Sequence, residues 1–421
     1  MRSKKVSRRI SRPFVGETKP KLRLLCIHVI FALAFLAMLT SCSGPEERTQ
    51  AGSHEKTLGI KNEFVPDLVM QNFELLELPA EMNAASSIRV SDQGAVSFMI
   101  DQDIFVWTEK HQNVNLGIAK LIEIHRLKKN GKIKTITNTD GIRRRSRERD
   151  VYFVEMNSQG RLAGWSVLPL IRNRMGTRLD DGALDSWAYE LNKKDNRFSL
   201  VSWTPDFAAQ LRAMNDEGQS IGEVYEDVGK SKIYSLNSEG SNQMLFAPSA
   251  LGCNKFHIVD FNNDEKILAD FEDSQGKKVG ALFEKSGSFK ELSTGKEFSF
   301  FRMNNLSEIA GWDKVEDRVA ATVWSKNSVL RLGTLGGIES AAIDINDDGY
   351  VVGWSDTQNE KIRGFLWRND IGTVDLNELP GNESWPPGIE ITSPVAISNH
   401  GWIASKARNG KRPIYVLIRP K

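Results

Sequence analysis

The sequence predicts an all-β fold, a seven-bladed β-propeller, preceded by a lipoprotein signal peptide. Three observations carry this prediction. A short phrase recurs seven times along the chain, and each copy is followed by strand-like segments. The last copy lacks a fourth strand, and one unmatched strand precedes the first copy. Repeats of about 42 to 50 residues with four strands each are typical of propeller blades.

The first 41 residues have the pattern of a signal peptide. Residues 1–23 contain nine Lys or Arg and a single acid, and residues 24–40 contain no charged side chain. This apolar run is shorter than the roughly 20 residues of a membrane span. It ends in Leu39-Thr40-Ser41-Cys42, which resembles the lipobox of bacterial lipoproteins. The resemblance implies cleavage before Cys42, lipidation of its thiol, and an outer-membrane or cell-surface location in the bacterial envelope; an uncleaved anchor is the alternative.

Removal of residues 1–41 changes the charge balance of the chain. It leaves 47 Lys and Arg against 53 Asp and Glu, and this mildly acidic balance argues against general nucleic-acid binding. Cys42 and Cys253 are the remaining cysteines, so no disulfide framework is expected. Residues 42–72 are interpreted as a lipidated tether and residues 73–421 as the repeat domain.

The recurring phrase is an apolar residue, Asn or Ser, two polar residues, Gly, and an alternating strand that often ends in Gly-Trp. Its clearest copy is Ile345–Trp354. Asn folds back on the local backbone and Gly adopts positive φ readily, so each copy predicts a β-hairpin. The Asn or Ser positions are Ser91, Asn157, Asn215, Asn262, Asn304, Asn346 and Ser398.

A third and a fourth strand follow most copies, as in Ala321–Trp324 and Ser328–Leu332. The seventh copy ends the chain after its third strand, at Ile414–Ile418. The unmatched strand Phe73–Leu78 is therefore expected to complete the seventh blade and close the ring. Closure would protect strand edges that otherwise invite aggregation.

Part of the chain resembles the HAF-type extracellular repeat. The resemblance lies in Leu332–Gly337, Asp344–Trp354 and Gly364–Trp367. It implies an exported repeat protein, and it assigns no functional residue.

Several motifs have both a functional and a structural interpretation. The Trp residues of the Gly-Trp endings could stack on sugars, but packing between blades is the favoured interpretation. Asp344–Gly349 hints at a calcium loop, yet equivalent turns lack carboxylates, so a structural turn is favoured. The histidines show no metal-ligand spacing, no G-x-S-x-G elbow in a strand-to-helix context is present, and neither a metal nor a cofactor is expected.

Two insertions interrupt the repeats, Ile122–Asp150 and Val167–Asp185. The first is strongly basic and ends in a cluster that suggests contact with an anionic lipid, a glycan or an acidic partner. The alternative is a solvated loop. The residues of this cluster are Arg143, Arg144, Arg145 and Arg147.

These features favour a non-enzymatic binding or scaffold propeller, held to the membrane through Cys42 and engaging an envelope protein or a glycan. The alternative is a glycan hydrolase or lyase with acids at the central channel. That alternative requires two carboxylates about 5 to 9 Å apart in a concave pocket. A purely architectural surface protein is a third possibility.

Overall fold

The computed structural model divides the chain into two compact units, Met1–Phe64 and Val65–Lys421. Every residue that the structure describes lies in the second unit. These residues are Leu68, 71–100, 103–110, 112–115, 123–127, 133–137, 150–167, 184–192, 197–204, 209–227, 230–236, 243–292, 294–325 and 328–421.

Within these ranges, the strands form seven four-stranded antiparallel sheets and one two-stranded hairpin. The first sheet contains Ser86–Val90, Val96–Ile100, Asp103–Thr108 and Gln112–Asn115. The second contains Asp150–Met156, Leu162–Val167, Leu184–Asn192 and Arg197–Thr204. The third contains Ala209–Met214, Ser220–Asp227, Lys230–Leu236 and Gln243–Phe246. The fourth contains Asn254–Phe261, Ile267–Glu272, Lys278–Phe283 and Phe289–Glu291.

The remaining sheets follow the same meander. The fifth contains Phe298–Met303, Ile309–Val315, Arg318–Trp324 and Val329–Arg331. The sixth contains Gly336–Ile345, Val351–Thr357, Ile362–Arg368 and Gly372–Asp375. The seventh contains Ile389–Ile397, Ile403–Asn409, Arg412–Pro420 and Phe73–Glu77. The separate hairpin is Glu123–Leu127 with Ile133–Thr137, and the described helices are the short 3-10 turns Ala80–Ala84, Pro248–Leu251, Leu376–Glu378 and Asn382–Ser384.

The sheets are arranged in a cycle. The first strand of each sheet contacts the first strand of the next sheet, and the first strand of the seventh sheet contacts that of the first. The later strands of each sheet lie progressively further from these contacts. An all-β propeller has this arrangement, with the first strands innermost, so the predicted all-β propeller is confirmed.

Apolar side chains fill the space between neighbouring sheets. Ala321 and Val323 of the fifth sheet, for example, share one cluster with Ala342, Val351 and Phe365 of the sixth. Phe365 is fully buried, and burial of such a side chain contributes about 1.5–3 kcal/mol. Packing between sheets, repeated around the cycle, is therefore the main apolar core.

The two ends of the described chain meet in the seventh sheet. Phe73–Glu77 pairs antiparallel with the strand that ends the protein, with Phe73 opposite Pro420. Arg419 on that last strand binds Glu74 at 2.8 Å and Glu109 of the first sheet at 2.6 Å. These ion pairs join the pairing of the chain ends to the neighbouring first sheet.

The packed unit includes Leu68, five residues before the first strand. Its side chain is 7% exposed, and its N–H donates to the Tyr350 hydroxyl at 2.7 Å. The Arg368 guanidinium lies 4.5 Å from the centre of the Tyr350 ring and holds that side chain in place. The chain is thus fixed to the sixth sheet before it enters the seventh.

Candidate functional site

A β-bulge in each innermost strand directs one side chain towards the axis of the ring. In the fifth sheet the register skips a residue between Phe300 and Arg302, and in the sixth between Ala342 and Asp344. A bulge re-aims the side chain that follows it. The equivalent residue stands two positions before the Asn or Ser of every repeat. We call these seven the axial residues: Arg89, Glu155, Ala213, Asp260, Arg302, Asp344 and Ala396.

Close approach between the first and second strands explains the Gly of the Gly-Trp endings in the fifth and sixth sheets. Gly311 pairs with Phe300 and Gly353 with Ala342, directly beside the bulge. A Cβ on either glycine would lie 2.1 Å from a carbonyl oxygen of the innermost strand. Only Gly lets the two strands approach this closely.

The Asn of each turn makes two kinds of hydrogen bond. Asn304 Oδ1 accepts from the Glu308 N–H at 2.8 Å in its own turn, and its Nδ2 donates to the Asn346 carbonyl of the next sheet at 3.0 Å. Asn157, Asn215, Asn262 and Asn346 repeat both bonds. The amide therefore shapes the hairpin and links neighbouring sheets.

The residue after the Asn or Ser extends this link around the ring. Asn305 N–H, for example, donates to Asp347 Oδ1 at 2.8 Å, and Asn399 N–H donates to Asp92 Oδ1 at 2.8 Å. Asp92 N–H in turn donates to the Ser158 carbonyl at 2.9 Å. With the bonds that start at Ser158, Glu217, Asn263 and Asp347, the series touches all seven sheets and returns to its start.

Five charged axial residues converge in one cavity between the innermost strands. Arg302 of the fifth sheet reaches across to Glu155 of the second, with Nη1–Oε2 2.5 Å and Nη2–Oε1 2.6 Å. Arg89 Nε lies 3.1 Å from Glu155 Oε1. Asp260 and Asp344 lie 3.6 and 3.8 Å from the Arg302 guanidinium. We call these five residues the axial cluster.

The two aspartates of the axial cluster also bind the backbone. Asp260 accepts from the N–H of Phe261 in its own strand and of Met303 in the next sheet, both at 2.8 Å. Asp344 accepts from Ile345 and from Ile397 of the next sheet, both at 2.9 Å. Each carboxylate therefore ties two sheets together.

The acids of the axial cluster differ in their electrostatic surroundings. Burial acts to raise the pKa of Glu155, but Arg302 and Arg89 outweigh it and the pKa is lowered. Burial raises the pKa of Asp260 to about 6, although Arg302 opposes the shift. Burial also raises the pKa of Asp344. Glu155 is thus firmly ionised, while Asp260 changes its charge near neutral pH.

The size and bonding of this cavity limit its chemistry. Its volume is about 100 Å³, against roughly 300–1,000 Å³ for ordinary small-molecule sites. The carboxylate oxygens of its three buried acids face backbone N–H groups or guanidinium nitrogens. The arrangement is suited to holding sheets together, with little room for a sugar ring.

Some of the residues singled out in the sequence cannot be placed. Cys42 and the basic residues Arg143, Arg144, Arg145 and Arg147 lie outside the described residues.

Other candidates do lie in the described part of the chain. Trp312 and Trp354 are half-buried, and the turn after Asp344 is a hydrogen-bonded hairpin. His257 lies 3.5 Å from Asp270. Burial raises the pKa of the Cys253 thiol to about 11. The described residues contain no group of three or more His, Cys, Asp or Glu that could hold a metal ion.

Sequence reasoning missed the axial cluster. Its members share a position, two residues before the turn, but not a residue type. Alignment of the seven copies on their Asn or Ser would have shown a column of Arg, Glu, Ala, Asp, Arg, Asp and Ala. Charged residues at a strand position that should face the core were the available signal.

Within the described residues, no helix is long and apolar enough to cross a membrane.

No family model and no curated protein matches this chain. Among solved structures, virginiamycin B lyase from Staphylococcus aureus is 10% identical and covers 83% of this chain and 99% of its own, with a TM-score of 0.43. TolB from Acinetobacter baumannii is 12% identical over 79% and 78%, with a TM-score of 0.36. An acylaminoacyl peptidase from Pyrococcus horikoshii is 14% identical over 77% and 50%, with a TM-score of 0.42. At these values none of their activities transfers to this chain.

Proposed function

We propose that this protein is a seven-bladed propeller, lipid-anchored at Cys42 in the bacterial cell envelope, that acts as a non-enzymatic binding or scaffold protein. The observation that carries the non-enzymatic part is the bonding of the axial cluster. Its acids have the charge and the convergence that a glycan hydrolase would need, but their oxygens already bind the backbone or Arg302.

Seven blades rather than fewer are supported by two sets of contacts. The innermost strands of all seven sheets contact one another in a cycle. The hydrogen bond from Asn399 N–H to the Asp92 carboxylate crosses the point where the last sheet meets the first, and Asp92 N–H continues the cycle to the Ser158 carbonyl of the second sheet. In this proposal Phe73–Glu77 is the fourth strand of the seventh blade.

Seven-blade closure can be tested by removing that strand. A chain that lacks residues 65–78 should lose its cooperative unfolding transition or unfold at a much lower urea concentration. The isolated segment, added back as a peptide, should restore part of the lost stability. Unchanged stability of the shortened chain would contradict closure by this strand.

Lipid anchoring is supported by the signal-peptide pattern and by the lipobox that ends at Cys42. Cells grown with an alkyne fatty acid should label the native protein and not Cys42→Ala. Cys253→Ala is the matched control, because it removes the other cysteine of the mature chain and should leave labelling intact. Equal labelling of the native protein and Cys42→Ala would contradict the anchor.

The face opposite the Asn turns is the proposed contact surface. The strands that flank both insertions end on that face, because the first insertion joins Gln112–Asn115 to Asp150–Met156 and the second joins Leu162–Val167 to Leu184–Asn192. In an antiparallel meander, these connections lie at the same end of the sheet. The basic cluster Arg143–Arg147 falls within the first connection, and we propose that it contacts an anionic partner.

Crosslinking in intact cells tests the binding role. Capture of the tagged native protein, followed by mass spectrometry, should recover one dominant envelope protein reproducibly. Reversal of Arg143, Arg144 and Arg145 to Glu should reduce that recovery at least about tenfold, as expected when close charge pairs become repulsive. Reversal of Lys266 and Lys285, which lie in turns of the fourth sheet on the Asn-turn face, is the control. If no protein partner is recovered but the protein binds to a glycan array, the ligand is a glycan. Cleavage of a glycan would overturn the non-enzymatic proposal.

A further inference from the structure

The axial cluster carries an unbalanced charge. Three carboxylates, on Glu155, Asp260 and Asp344, face two guanidinium groups, on Arg89 and Arg302. An isolated charge in a cavity with little water is unfavourable, and the usual relief is a change of protonation. The cluster as a whole is therefore poised to take up one proton.

The charged neighbours of the three acids distinguish them as proton acceptors. Asp344 accepts from two neutral backbone N–H groups, but both Arg302 and Arg89 favour its charged form. Glu155 lies in the fork of Arg302 and also faces Arg89, so its negative charge is fully paired. Asp260 lies 3.6 Å from Arg302 Nη1, beyond hydrogen-bond distance. Its hydrogen bonds come from neutral backbone N–H groups instead.

The groups around Asp260 come from every neighbouring innermost strand. Arg302 of the next sheet favours its ionised form, and Glu155 across the axis opposes it. Arg89 also interacts with Asp260. The preceding sheet contributes Ala213, which carries no charge.

We propose that the axial cluster is a one-proton switch that stabilises the closed ring when the pH falls from neutral to mildly acidic, with Asp260 as the proton acceptor. This inference concerns the ring itself and stands apart from the proposed lipid anchor and binding partner.

The direction of the effect follows from proton linkage. Burial raises the pKa of folded Asp260 to about 6, whereas an unfolded Asp has a pKa of about 3.9. Between these values the folded protein binds a proton that the unfolded chain does not. Stability from this group therefore rises as the pH falls through about 6, and the gain is complete below about 4.

Urea unfolding at two pH values tests the proposal. For the native protein, the contribution of Asp260 should make the unfolding equilibrium constant about tenfold smaller at about pH 5 than at about pH 7. Asp260→Ala, which copies the natural Ala213 and Ala396, should lose this factor even though it is less stable at both pH values. Asp313→Ala is the control, because Asp313 is a buried acid off the axis that accepts from Gly295 N–H and pairs with Arg331. It should retain the factor.

A second variant covers the case in which Asp260→Ala does not fold. Asp260→Asn keeps one acceptor oxygen and should show the same loss of pH dependence. The infrared spectrum of the folded native protein at about pH 5 should contain the band of a protonated carboxyl that Asp260→Asn lacks. Equal pH dependence in native and variant proteins, or equal infrared spectra, would overturn the proposal.

Discussion

Five of the seven turns between first and second strands begin with Asn, and the two that begin with Ser are neighbours in the ring. Ser91 and Ser398 flank the point where the last sheet meets the first. Their hydroxyls accept from the N–H four residues later, at 3.2 Å, as the Asn side chains do. A hydroxyl is too short to reach the next sheet, so the second bond of Asn is missing there.

Other contacts replace that bond at the Ser turns. At the closing interface, between the seventh and first sheets, His400 Nδ1 lies 2.9 Å from the Asp92 carbonyl. Further out, Arg419 joins the seventh sheet to Glu109 of the first. The five interfaces that follow an Asn turn therefore include a side-chain amide bond, whereas the closing interface has the His400 contact and the Arg419 ion pair in its place. This difference predicts different responses to mutation and to salt.

The largest expected effect is on the axial cluster, which both kinds of interface share. Arg302→Ala leaves the paired acid Glu155 with Arg89 alone and removes the guanidinium that lies 3.6 Å from Asp260. Loss of one partner of a buried ion pair destabilises by about 3–5 kcal/mol. Urea unfolding should show this loss, and Arg412→Ala, which breaks the exposed pair with Glu77, should cost less than about 1 kcal/mol. Equal effects would show that Arg302 is not a tie across the ring.

A smaller effect is expected where the bulge forces close approach. Gly353→Ala places a Cβ 2.1 Å from the Ala341 carbonyl oxygen, and such overpacking costs about 1–3 kcal/mol. Gly372→Ala is the control, because Gly372 has positive φ but no atom within 4 Å of the added Cβ. The melting temperature of Gly353→Ala reports the steric collision of the added Cβ, and that of Gly372→Ala reports the cost of positive φ alone. If Gly372→Ala is equally destabilised, the close approach is not the reason for Gly353.

Substitution at the turns compares the two kinds of interface directly. Asn304→Ser keeps the bond within the turn and loses the one to Asn346, at a cost of about 1 kcal/mol. Ser398→Asn offers a new amide to a sheet that is already joined by other contacts, so little increase in the free energy of unfolding is expected. The urea midpoints of both variants show whether the Asn interface and the closing interface respond differently. A large gain for Ser398→Asn would show that the closing interface lacks only the amide.

The smallest effect is expected at the rim of the closing interface. Arg419→Ala removes ion pairs to Glu74 and Glu109, whose side chains are well exposed. Such pairs contribute up to about 1 kcal/mol and weaken with salt. The difference from the native protein should therefore shrink in about 1 M salt. A loss that is independent of salt would point to the packing of Arg419 on Trp402.

The sequence allowed the strands to be predicted where repetition was clear. The expected strand Ala321–Trp324 lies within Arg318–Trp324, and Phe73–Leu78 corresponds to Phe73–Glu77. Turn residues and the alternation of apolar and polar side chains are local features of the sequence, so they can be recognised without knowledge of the fold. The first strand of the seventh sheet, Ile389–Ile397, contains two register shifts that break its alternation, so its full extent is not visible in the sequence pattern.

The axial cluster could not be predicted in the same way. Arg302 and Glu155 are 147 residues apart, and only the closed cycle brings them together. A bulge turns these side chains inward, and a strict alternating pattern does not reveal it. The Gly-Trp endings illustrate the same limit. Their sequence suggests a role for the aromatic ring, whereas the structure shows that the glycine allows close contact between strands.

The meeting of both chain ends in one sheet has a consequence for how the molecule is made. Along the chain, Phe73–Glu77 precedes the first sheet, yet its partner Arg412–Pro420 follows the other six sheets. Until both segments have been synthesised the seventh sheet cannot assemble, and the flanks of its two neighbours stay uncovered. A chain truncated before Arg412–Pro420 would therefore contain all seven Asn or Ser turns but no closed ring, and its unpaired strand edges would favour aggregation.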